Sequence, residues 1–176
     1  SQLLFAFDYH LLHREGVLGF FHDYLRRAVE RRYLADPESR LAYQERIASY
    51  FEKVYPTLRS ARELLFQLRA TGDTDRLVKA LTSIPIVIAT RTGEAVSDVL
   101  EMWSQLAPSY DAETLYRESV DRWCAERPDE YAAGIPGVSH ILMSLGRWDG
   151  MLASNRRCLN ARSRRMTCRR RLRLDA

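Results

Sequence analysis

Apolar positions recur along most of the chain at spacings of three and four, the period of a helix buried on one face. The clearest case is Val96, Val99, Leu100, Trp103 and Leu106, which predicts a helix ending before Pro108. Asp36-Pro37 joins an N-cap acid to a proline at the first helical position. The helix it opens is expected to carry Leu41, Ile47, Ala48, Phe51 and Tyr55 on one face, until Pro56 ends it. Ser60-Ala61-Arg62-Glu63 has the spacing of a capping box. It predicts a helix with Ala61, Leu64, Leu65 and Leu68 inward and Gly72 as its stop. Asp73 then caps a short helix through Leu77 and Leu81, and Asp111 another with Leu115, Ser119, Val120 and Trp123 inward. Gly134-Ile135-Pro136-Gly137 reads as a break, followed by a pair of short helices joined at Leu145-Gly146-Arg147-Trp148. Short helices with short connections favour antiparallel hairpins stacked in a right-handed array.

One segment departs from this period. Leu11-Leu12-His13-Arg14 and Val17-Leu18-Gly19-Phe20-Phe21 read as two strands around a Glu15-Gly16 turn. A helix is expected from about His22, with Leu25, Ala28, Val29 and Tyr33 inward. Helix, hairpin, helix is the closing half of a winged helix, and its opening half is expected upstream of Ser1. That first residue, not a Met, itself points to a fragment. The fold class expected is therefore mainly α, a TPR-like array of antiparallel helical hairpins preceded by a partial winged helix with one small β-hairpin.

Composition changes this picture little. With 46% hydrophobic and 28% charged residues the chain belongs among globular proteins. Its longest apolar run, Ile84-Pro85-Ile86-Val87-Ile88-Ala89, is far below the roughly 18 to 20 residues that cross a bilayer. With no signal-peptide pattern either, a cytoplasmic location is expected. Cys124, Cys158 and Cys168 are odd in number and lack CxxC spacing, which argues against a disulfide framework and a zinc site. No metal ligands are assigned to His10, His13, His22 and His140. Charge is uneven along the chain. From Arg156 to Ala176 there are nine arginines and one acid, a local +8, which leaves −4 for residues 1–155 out of a net +4. The basic character thus belongs to the tail, and the body is mildly acidic.

Three stretches carry a resemblance. Gly19-Phe20-Phe21-His22-Asp23-Tyr24-Leu25-Arg26-Arg27-Ala28-Val29, with Arg32-Tyr33-Leu34, is similar to an F-x-H-D-x-L-R-E-A-V…R-Y-L segment. Glu63-Leu64-Leu65-Phe66-Gln67-Leu68, Gly72-Asp73, Leu77, Leu81 and Leu100-Glu101-Met102-Trp103 resemble a linker of helical hairpins. Leu145-Gly146-Arg147-Trp148-Asp149-Gly150-Met151-Leu152, with Cys158-Leu159, looks like the inner turn and second helix of one tetratricopeptide repeat. In this order they resemble the region after the ATPase core of NACHT/STAND-type signalling NTPases with tetratricopeptide repeats, such as nephrocystin-like proteins and their bacterial relatives. The sequence departs from that pattern at Arg27, where the family has Glu, and at Gly150 and Met151. The resemblance covers roughly residues 1–160 and implies a winged-helix half at 1–35, a helical linker at 36–108 and TPR-like repeats at 109–160; beyond it, 161–176 is expected to be an Arg-rich, disordered tail.

The same resemblance implies the function: a non-catalytic helical adaptor region that couples nucleotide state to protein–protein interaction in signalling. Its partners would be other proteins, held through the helical array, and the ATPase core of the same polypeptide. His22 and Asp23 stand where related proteins place a His-Asp pair on bound ADP. Physically, a histidine at a helix N-terminus can donate to a phosphate beside free backbone N–H groups. The plain alternative makes Asp23 a cap and His22 a polar surface residue. No GxxxxGK[ST], GxSxG or HExxH is present, so the chain is not expected to be an enzyme. No catalytic residue is assigned, and ADP or ATP is expected only in an intact parent protein. Trp103, Trp123 and Trp148 lie on apolar helix faces and are expected in the core.

Arg164, Arg165, Arg169, Arg170 and Arg171 are candidate nonspecific anion contacts, with no aromatic residue among them for base stacking. The chain also uses 25 Arg against two Lys, as GC-rich coding does, and a frameshift in such DNA yields an arginine-rich end. Two other readings stay open. One is a freestanding TPR-like scaffold. The other is a nonspecific nucleic-acid binder using the winged helix and the tail, which the acidity of residues 1–155 disfavours.

Overall fold

A computed structural model describes residues 11–14, 17–127, 130–147 and 149. Among them the fold is mainly α, with eight helices and one two-stranded hairpin. The chain divides into two compact units between Arg46 and Ile47.

In the first unit, β1 (Leu11–Arg14) and β2 (Val17–Phe20) pair antiparallel, Leu11 opposite Phe20 and Arg14 opposite Val17. The register leaves two residues for the connection, as the hairpin spacing requires. The helix α1 (Asp23–Tyr33) follows, and it buries none of its residues. Leu25 and Val29 are half-buried, whereas Ala28 and Tyr33, expected inward, are exposed. The apolar stripe is only one i, i+4 pair wide and is flanked by Arg26, Arg27, Arg31 and Arg32, too narrow to seat a full helix face. The next helix, α2 (Pro37–Phe51), starts at its expected cap. Asp36 Oδ2 accepts from the Ser39 backbone N–H at 2.8 Å. That bond, with a second from the Ser39 hydroxyl, holds the Asp36 carboxyl below the usual carboxylate range.

The second unit takes in the end of α2, where Ala48 is buried and Phe51 half-buried. Leu41, Ile47 and Tyr55 are exposed instead of inward. The helix also stops before Tyr55. Lys53 N–H donates to Tyr50 O at 3.1 Å and Val54 N–H to Phe51 O at 3.2 Å, so the last turn tightens into i→i+3 bonds ahead of Pro56.

The helix α3 (Leu58–Thr71) begins three residues earlier than its Glu63-based box predicts. Thr57 is the cap: its Oγ1 accepts from Ser60 N–H at 3.2 Å, and Ser60 Oγ accepts from Thr57 N–H at 2.8 Å. Serine at this position closes the box in place of Glu63. Ala61, Leu64, Leu65 and Leu68 face the core, and Gly72 ends the helix at φ +73°. Asp73 Oδ1 then caps α4 (Thr74–Leu81) by accepting from Arg76 N–H at 3.1 Å.

After α4 comes a helix that periodicity did not announce, α5 (Ile84–Thr90). It is followed by α6 (Glu94–Leu106), α7 (Ala112–Glu126) and α8 (Tyr131–Ser144). Being apolar all round, α5 has no face to give to water and lies at the centre, touching α3, α4, α6, α7 and α8. The expected break at Gly134-Ile135-Pro136-Gly137 is instead the interior of α8. A Cβ on Gly134 would come within 2.3 Å of Ile84 Cγ2, and one on Gly137 within 2.7 Å of Val87 Cγ1. The two glycines let α8 lie directly against α5, and this packing outweighs their poor helix propensity.

The core also holds one polar chain. Trp103 Nε1 donates to Tyr116 Oη at 2.9 Å, and Tyr116 Oη donates to Leu81 O at 3.1 Å. Both side chains are fully buried, so this chain ties α6 and α7 to the end of α4. On the surface, Arg62–Asp98 at 3.1 Å and Arg69–Glu101 at 2.7 Å link α3 to α6. After α8, Gly146 at φ +75° and the 2.8 Å bond from Arg147 N–H to Leu142 O make the turn expected at Leu145-Gly146-Arg147. Trp148 and the second repeat helix assigned to Gly150–Leu152 and Cys158–Leu159 lie outside the described residues.

Candidate functional site

His22 occupies the N-cap position of α1 with an extended backbone, φ −113° and ψ 131°, and its side chain makes no capping bond. Its backbone carbonyl already accepts from Leu25 N–H at 3.1 Å, so the first turn is closed without the imidazole. The exposed ring meets Phe21 edge-on at 4.6 Å and stacks with Tyr24 at 5.3 Å. Three rings thus gather at the start of this helix, all exposed.

Asp23 is the first helical residue, a position where a carboxylate meets the positive end of the helix dipole. Its Oδ1 accepts from Arg26 Nε at 2.9 Å, and its Oδ2 pairs with Arg27 Nε at 2.6 Å. The Arg26 hydrogen bond, with help from Arg27, holds the carboxyl below its usual range. Asp23 is therefore neither a cap nor a bare carboxylate but the acceptor of two guanidiniums. The departure at Arg27 supplies the second of them, one helical turn on. His22 and Asp23 come together at one helix end as the sequence places them. The tail residues Arg164, Arg165, Arg169, Arg170 and Arg171 lie outside the described residues.

The second unit carries a different feature, an open groove of about 310 Å³ between the α4–α5 turn and α7. Ser119, Arg122, Trp123 and Glu126 line one wall at the i, i+3, i+4, i+7 spacing of a single helix face. Lys79, Thr82, Ser83, the α5 residues Ile84 and Pro85, and Arg127 form the rest. Trp123 is fixed by a 3.2 Å bond from Nε1 to Glu130 O, and the Arg127 guanidinium sits 5.0 Å from its ring centroid. Arg127 is also paired with Glu130 at 3.3 Å. Lys79 and Arg122, by contrast, make no ion pair among the described residues. The groove thus offers cationic and hydroxyl donors over an apolar floor. Sequence reasoning placed Ser119 and Trp123 on the inner face of α7 but passed over Lys79 and Arg122. The signal was a serine and an arginine riding the same stripe as a buried tryptophan.

No protein-family model matches the chain, and no curated protein or solved structure matches it either. Among the described residues, no three His, Cys, Asp or Glu side chains are placed to hold a metal ion. No helix among them is long and apolar enough to cross a membrane.

Proposed function

We propose that this chain is a helical adaptor region of a STAND/NACHT-type ATPase, itself without catalytic chemistry. It would couple the nucleotide state of an ATPase core in the same polypeptide to protein binding by TPR-like helical hairpins. The observation that carries the reading is the succession β1–β2–α1 with His22 at the N-cap. A winged helix closes with a hairpin and a helix, and His22 stands at the N-cap of that helix without a side-chain capping bond. The N-terminus of α1, with the positive end of its dipole, is a ready partner for the phosphate of ADP. Asp23 then has a positioning role: ionised between Arg26 and Arg27, it holds the first turn of α1 while His22 reaches the nucleotide.

The mechanism is a two-state switch. ADP binds better to the state in which the winged helix closes on the core, and ATP favours the other. The half-buried Leu25 and Val29 and the exposed rings Phe21 and Tyr24 are the surface that such a closure would cover. The test is made on the intact parent protein, purified from its native source or expressed at full length. His22→Ala is expected to lower the ADP that co-purifies about tenfold or more, the scale of one hydrogen bond to a charged phosphate. Unchanged ADP content contradicts the assignment.

A further inference from the structure

The groove on the second unit is not explained by the nucleotide switch. Its cations come from different elements: Lys79 from α4, and Arg122 from the middle of α7. Glu126 is the single acid in the lining, and Arg127 is already committed to Glu130 and the Trp123 ring. The remaining balance is positive, on a stretch of chain that is otherwise acidic. Ser83 stands at the cap of α5, yet its hydroxyl makes no capping bond. Under these donors the floor is apolar, from Ile84 and Pro85. Its volume lies near the lower end of the range of ligand sites.

Separated cations over an apolar floor select one occupant chemistry. A lone phosphate gains nothing from Ile84 and Pro85, and a purely apolar ligand would leave Lys79 and Arg122 facing it unpaired. An extended peptide alternating acidic and apolar side chains satisfies both. We propose that this groove binds an acidic linear segment of a partner protein, a carboxylate reaching Lys79 and Arg122 while a neighbouring apolar side chain packs on Ile84 and Pro85. A positive spot on an acidic body also steers such a segment and repels basic ones. This inference rests on the reading of the helical region as a protein-binding adaptor and names the chemistry of its partner.

The experiment uses the whole chain and a fluorescein-labelled peptide repeating Glu-Leu-Glu-Ser, followed by anisotropy. A Gln-Leu-Gln-Ser peptide and inorganic phosphate are the comparisons. The acidic peptide is expected to bind, with an affinity that falls as salt rises. Affinity is expected to drop about tenfold or more in Lys79→Glu/Arg122→Glu and in the Gln peptide, while phosphate does not compete. Lys79→Gln/Arg122→Gln repeats the test without charge reversal, and far-UV circular dichroism verifies the fold of both variants. Four results overturn the proposal: no binding, equal binding by the variants, equal binding of the Gln peptide, or displacement by phosphate. Self-association of the chain that is lost in the double variant overturns it too, since the occupant would then be a second copy. Absent peptide binding alongside His22-dependent ADP retention in the parent protein removes the groove proposal alone. The reverse pair of results removes the switch and leaves the peptide site.

Discussion

Tyr116 shows how much one residue decides. Its phenol is buried between Trp103 and the Leu81 carbonyl, accepting from one and donating to the other. Tyr116→Phe keeps the ring but leaves an indole N–H and a carbonyl unsatisfied in the core. That is expected to cost about 1–3 kcal/mol, seen as a lower urea midpoint at unchanged slope. An unchanged midpoint would mean the chain contributes nothing. Burial also pushes the Tyr116 hydroxyl well above the ordinary tyrosine value, despite the opposing Trp103 bond. The folded value is raised above the unfolded one, so this group's stabilisation is complete below about pH 10 and is lost as pH climbs beyond it. Its phenolate absorbance should therefore appear together with alkaline unfolding, not before it. None of this was legible beforehand. Trp103 declared itself by spacing, whereas Tyr116 fell outside the stripe read for its helix. Buried partners are found in space, and sequence period alone does not pair them.

At the scale of elements, caps and stops were the most legible features, because a cap is a bond between neighbours. Asp36, Asp73 and Asp111 each accept the backbone N–H three residues on. Where local chemistry offered two answers, the box closed between Thr57 and Ser60 and not between Ser60 and Glu63. The larger miss was the pair α5 and α8. Ile84–Thr90 has no polar face to give a period, and Gly134-Ile135-Pro136-Gly137 carries the residues that usually break a helix. Each makes sense only against the other. Gly134→Ala tests this directly. In an exposed helix the change stabilises by up to about 1 kcal/mol. Here the new methyl meets Ile84 Cγ2, a branch fixed close to its own backbone, and overpacking is expected to cost about 1–3 kcal/mol. In a double-mutant cycle with Ile84→Ala, the added methyl and the vacated space should compensate, giving a favourable coupling of about 1 kcal/mol or more. A stabilising Gly134→Ala would show that the two helices are not held in contact.

For the whole molecule, the sequence foretold a mainly helical chain with one small hairpin, and those are the elements among the described residues. It did not foretell the hub: α5 at the centre of five other helices follows from composition rather than period. The candidate site divided in the same way. His22 and Asp23 were visible as neighbours, while the groove needed α4 and α7 brought together. The proposal that this chain works as the adaptor of a larger switch ATPase is tested on the native product. That product would be captured with an antibody to residues 60–125 and its peptides mapped by mass spectrometry. Peptides of a P-loop core upstream and of regular helical repeats downstream are expected. A native product of 20.5 kDa that retains Arg169–Arg173 would contradict the proposal and favour a freestanding scaffold.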